Sequence, residues 1–126
     1  KLGAPKLILE KEKVVGQKQR ENFKKAFQAG VKIAFGTDAG VYPHGLNARQ
    51  FSILTQWGMT PMQAIQAATK GSSDLLGWND KIGSITVGKF ADIVAVTANP
   101  LEKINVLENV EFVMKDGMVY KNLITK

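Results

Sequence analysis

Apolar residues change their spacing along the chain, and each change predicts an element. Between Glu12 and Ala29, Phe23 and Phe27 stand four apart with Ala26 on the same face, and Glu21 precedes Lys25 by four. That period predicts a helix over 12–29, with an ion pair on its outer face and Gly30 as its stop. The next five residues, VKIAF at 31–35, form a near-continuous apolar run rich in β-branched and aromatic side chains. Such a run predicts a strand covered on both faces. A helix joined to it by one glycine is the α-to-β link of an α/β fold.

Helical spacing returns after a loop over Gly36–Leu46 that holds three glycines and Pro43. Asn47 is placed to cap a helix over 48–57 that buries Phe51, Ile53, Leu54 and Trp57, with Gly58 ending it. Thr60, Pro61 and Gln63 form a capping box with proline at the first helical position. The helix they open, through MQAIQAATK, is expected to terminate at Gly71. SSDLLGW adds a short helical turn backed by Gly77. After Trp78 the texture becomes β: SITV, ADIVAV, VEFVMK and MVYKN read as strands punctuated by Gly83, Gly88 and Gly117. Asp116-Gly117 between the last two predicts a type I′ hairpin, and Asn99-Pro100 a turn at the start of the NPLEKINVLEN connection. Residues 1–78 therefore read as α/β and residues 79–126 as all-β. One α/β strand cannot build a sheet with both faces covered, and about four β-type strands are few for a closed barrel. The chain is expected to be the C-terminal part of a larger protein.

Composition changes little in this picture. The chain has 126 residues, 44% hydrophobic and 22% charged, as a globular protein does. It has no cysteine, which excludes thiolate metal sites, disulfides and cysteine nucleophiles within it. No apolar run is long enough to span a membrane, so no membrane partner is expected. A cytoplasmic location is slightly favoured, with an upstream targeting segment left open. The net charge of +6 is concentrated at the front: residues 1–25 carry eight lysines and arginines against three glutamates. A basic helix could bind nucleic acid or another acidic partner as a non-catalytic module, and that is the alternative reading. A solvated outer face is preferred, because the stretch offers Arg20 as its only arginine and no aromatic before Phe23. A third reading is a structural remnant with an unpaired apolar face.

Three residues carry candidate chemistry. Asp38 lies two residues past Gly36, where VKIAF ends, and strand ends carry the chemistry of parallel α/β folds. A carboxylate there serves as a hard-metal ligand, as a proton acceptor for a reacting water, or simply as the cap of a turn. His44 is the single histidine and sits in the same loop. It suits a hydrogen-bond donor, a contact for a substrate carboxylate or a metal ligand, set against an exposed loop imidazole. Arg49 can reach back to the loop to bind a carboxylate, or remain solvated. One His and one Asp do not close a metal site. No serine sits in a nucleophile elbow, and no phosphate-binding glycine loop has the required spacing.

The ordered runs AGVKIAFGTDAG, MTPMQAIQAATKGSSDLLGW, IGSITVGKFADIVAV and VEFVMKDGMVYKN resemble the C-terminal end of the amidohydrolase superfamily. The nearest likeness is to its imidazolonepropionase-like branch, which includes Xaa-Pro dipeptidases of the prolidase type, and it covers nearly all of Ala29–Asn122. The resemblance implies the C-terminal portion of a metal-dependent (β/α)8 TIM barrel with an appended small β-sandwich. VKIAFG would be the eighth barrel strand. Asp38 would be both metal ligand and general base for amide or peptide C–N hydrolysis, with one or two divalent ions, zinc first. His44 and Arg49 match a stretch for which substrate contact is implied, with Gln50 a mild departure. The implied substrate is a small molecule or dipeptide. The other ligands would come from a preceding segment or a companion chain completing the barrel, and a homo-oligomer is compatible with this arrangement. Nucleic acid is not an implied partner.

Overall fold

A computed structural model describes residues 6–40 and 42–124 of the chain. Val41 of the expected loop, the first five residues and the last two lie outside the described residues. The chain divides into two compact units, one up to Lys32 and one from Ile33 onward.

The first unit is helix α1, Lys6–Gln28. It begins earlier than the apolar period predicts, because lysine, glutamate and leucine are good helix formers even without a buried face. Phe23 and Phe27 stack with ring centroids 6.4 Å apart. Arg20 pairs with Glu12 at 3.0 Å. At the end of the helix Gly30 takes φ 80°, and the Val31 amide donates to the Ala26 carbonyl at 3.0 Å. This left-handed glycine stop is the one the sequence predicts.

The second unit opens on residues 33–39 without helix or strand. Residues 31–35 do not form a paired strand among the described residues, contrary to expectation. A strand is defined by the neighbour that completes its ladder, and no strand lies beside this one among the described residues. Phe35 instead donates its amide to the Ala67 carbonyl at 3.1 Å.

Helix α2 spans Arg49–Gln56 and helix α3 spans Pro61–Gln66. The Thr60 capping box is present in both directions: Gln63 N–H donates to Thr60 Oγ1, and the Thr60 amide donates to Gln63 Oε1. Gly71 does not end the helical path. A π-helical turn, Ala67–Gly71, leads directly into α4, Ser72–Leu76. Gly71 has φ −62°, ordinary helical backbone, and its missing side chain has another purpose. A Cβ there would lie 2.6 Å from the Ile33 carbonyl oxygen. The helical path ends instead at Gly77, in the left-handed region with φ 68°. Leu54, Met59, Ala64 and Ala67 are buried between these elements, and Ser73 is the buried polar residue beside them.

Strands β1 (Ile93–Ala95), β2 (Phe112–Lys115) and β3 (Met118–Asn122) form one antiparallel sheet in the order β1-β2-β3. Val94 faces Val113 in the first pair, and the second carries an irregularity between Val113 and Met114. Asp116 (φ 49°) and Gly117 (φ 77°) both take positive φ, as the predicted type I′ turn requires. The Asp92 carboxylate accepts from Lys115 Nζ at 2.8 Å and from the Asp116 amide at 2.8 Å, tying the turn to the start of β1. SITV is not a strand here. Ile85 is 81% exposed and Val87 fully exposed, with no ladder partner among the described residues.

Candidate active site

Three anchors hold the segment that leads to Asp38. The first is the Phe35 amide on the Ala67 carbonyl. That carbonyl also accepts the Ser72 hydroxyl at 2.9 Å, five residues ahead, across the widened turn. A regular α-helix would occupy the same oxygen with the amide four residues on. The second anchor is the Phe35 ring, 4.7 Å from the ring of Phe51 on α2. The third is the close approach of Ile33 to Gly71. Together they fix the backbone from Ile33 to Phe35 immediately before the loop.

Asp38 follows three residues later and is exposed. Its backbone has φ 46°, in the left-handed region that few non-glycine residues occupy and that concentrates at functional loops. Its carboxylate has no hydrogen-bond or ion-pair partner among the described residues, so it does not cap the turn that carries it. Tyr42 Oη donates to the Thr37 carbonyl at 3.4 Å and draws the far side of the loop back.

His44 is exposed and opens a 3-10 turn, His44–Leu46. Its carbonyl accepts the Asn47 amide at 3.2 Å. The expected Asn47 cap is absent. Asn47 has φ −57° and ψ −35°, already helical, whereas a capping side chain needs an extended backbone. Its Oδ1 is buried without a hydrogen-bond partner among the described residues. Arg49 begins α2, and its Nε lies 3.7 Å from Glu108 Oε2, at the end of a 3-10 turn spanning Ile104–Glu108. A cleft of about 310 Å³ lies here, lined by Gly45, Leu46, Arg49, Glu108 and Asn109.

Among the described residues no group of three or more His, Asp or Glu gathers to hold a metal ion. The described residues fit a divalent cation as donors of one carboxylate, that of Asp38, whose exposed oxygens are free for a hard ion. No helix among the described residues is long and apolar enough to cross a membrane.

Sequence reasoning missed the π-helical turn and Glu108. Gly71 reads as a stop because a helical glycine is rare, and only the nearby Ile33 backbone explains it. Glu108 sits in a connection with no spacing relation to Arg49.

The family model that describes the amidohydrolase family matches residues 6–121. Ochratoxinase of Aspergillus niger is 38% identical over 101 residues, which are 76% of this chain and 21% of that protein. Guanine deaminase of Escherichia coli K12 is 32% identical over 105 residues, 75% of this chain and 23% of that protein. The crystal structure of a Xaa-Pro dipeptidase with methionine bound in its active site superposes with a TM-score of 0.87 at 49% identity. That match covers 94% of this chain and 29% of that one. The chain thus spans between a fifth and a third of the length of these relatives.

Proposed function

The chain belongs to the amidohydrolase family, and on that premise we propose that it is the C-terminal part of a metal-dependent hydrolase of amide or peptide C–N bonds. Its substrate class is the dipeptide with a free carboxylate, as in Xaa-Pro dipeptides; the 49% identity to a Xaa-Pro dipeptidase supports this choice over the more distant relatives. The observation that carries the reading is Asp38: an exposed carboxylate, unspent on local hydrogen bonds, in a left-handed backbone, on a loop whose root is fixed.

Asp38 is one ligand of a divalent ion, zinc before others, whose remaining ligands lie outside this chain. When bound, such an ion supplies acidity to water and positive charge beside the carbonyl oxygen. Asp38 takes a proton from the attacking water as its oxygen bonds to the carbonyl carbon. It then delivers that proton to the leaving nitrogen, which departs as a neutral amine. Arg49 takes the substrate carboxylate, for which a guanidinium fork is suited, and His44 donates a hydrogen bond to the substrate. In the complete protein, residues up to 78 close the barrel and the strands beyond belong to a small sandwich.

The test is Asp38→Asn in the complete protein with metal supplied. The amide keeps the shape and loses the proton acceptor, so kcat should fall by about 100-fold or more. Turnover at the wild-type rate would overturn the assignment.

A further inference from the structure

We infer that Glu108 is the positioning residue of Arg49, holding its guanidinium ready for the substrate carboxylate. The inference rests on the reading of Arg49 as the carboxylate contact.

The two residues come from opposite ends of the second unit. Arg49 stands in the first turn of α2, three residues past the His44–Leu46 turn, and Glu108 closes the 3-10 turn before β2. α2 packs against that 3-10 turn, so the pairing rests on a packed junction. The closest approach is Nε to Oε2 at 3.7 Å, an ion pair longer than a hydrogen bond. The two terminal nitrogens make no hydrogen bond among the described residues. Their hydrogen bonds are therefore left for another carboxylate. A carboxylate entering the 310 Å³ cleft, which both side chains line, would find these nitrogens available for bidentate pairing.

The pair is exposed, 62% for the Arg49 side chain and 33% for Glu108, so its Coulombic attraction is screened and small. The larger effect is preorganisation. A long side chain biased by its partner toward one rotamer loses less freedom when substrate binds, which is worth a few-fold to about tenfold in affinity.

The experiment is Glu108→Gln in the complete protein, assayed with an Xaa-Pro dipeptide and with its C-terminal carboxamide. KM for the free carboxylate should rise about fivefold, with kcat unchanged and KM for the carboxamide unmoved. Glu108→Asp should recover part of the loss, and it gives the same comparison should the glutamine variant not fold. An equal rise for both substrates, or none for the carboxylate, overturns the inference. If the wild-type protein cleaves no dipeptide, the proposed function fails. Glu108 is then decided by NMR of the Arg49 Nε–H, assigned with Arg49→Lys. A more rigid Nε–H vector in wild type than in Glu108→Gln supports the positioning role; equal mobility rejects it.

Discussion

The Phe35 amide reaches the Ala67 carbonyl at 3.1 Å, and the segment leading to Asp38 thereby hangs from a widened helical turn. The fit around that bond is tight at Gly71. An added Cβ would stand 2.6 Å from the Ile33 carbonyl oxygen, a backbone atom with little freedom to retreat. Gly71→Ala would gain about 1 kcal/mol of helix propensity and lose about 1–3 kcal/mol to overpacking. The clash should prevail, lowering the denaturant midpoint of the complete protein. A raised midpoint would mean that Ile33 is free to withdraw.

The left-handed backbone of Asp38 separates its chemistry from its strain. Glycine accepts φ 46° without penalty, and alanine does not. Asp38→Gly and Asp38→Ala both remove the carboxylate, so both should be inactive. In thermal unfolding the glycine variant should be more stable than the alanine variant by about 1 kcal/mol. Equal stabilities would show that the loop relaxes to ordinary φ once the carboxylate is gone.

The hairpin clip at Asp92 predicts an acid limit for the sheet. Hydrogen bonds from Lys115 and from the Asp116 amide hold the Asp92 carboxyl below the usual aspartate range, and Asp92 in turn raises Lys115. The contribution of Asp92 is complete above the ordinary carboxylate pKa and is lost as pH falls through its depressed folded value. Lys115 contributes below the ordinary lysine pKa and loses its part as pH rises through its raised value. Protection of the Asp116 and Gly117 amides, relative to the intrinsic exchange rate at each pH, should therefore fall at both extremes, and Asp92→Asn should flatten the acid side. An acid profile that is the same in wild type and variant would refute the clip.

The Thr60 box closes the first turn of α3 by two reciprocal hydrogen bonds. Thr60→Ala should destabilise the protein by about 1 kcal/mol, while Thr60→Ser should retain most of the stability. Chemical denaturation of the pair checks this directly.

Features whose cause is local were legible in the sequence. The Thr60 box, the Gly77 stop and the Asp116-Gly117 turn depend on four or five consecutive residues, and the structure places each as predicted. The family resemblance was equally legible, because ordered motifs carry it. Features whose cause lies elsewhere in the chain were not. Asn47 has the chemistry of a cap, but the 3-10 turn before it had already made its backbone helical. VKIAF and SITV have strand composition, but a strand also needs a neighbour. Asp38 is legible as a candidate from its place after an apolar run; its φ of 46° and its unpaired carboxylate depend on how the loop folds.

The π-helical turn also bears on how the helical stretch can be redesigned. With one more residue per turn than its neighbours, Ala67–Gly71 shifts the helical phase between Pro61–Gln66 and Ser72–Leu76 by about 100°. A repeat drawn through both halves would put the inward residues of one on the outside of the other. Deleting a residue between 67 and 71 would restore continuous phase and move the Ala67 oxygen away from the place where the Phe35 amide and the Ser72 hydroxyl now meet it.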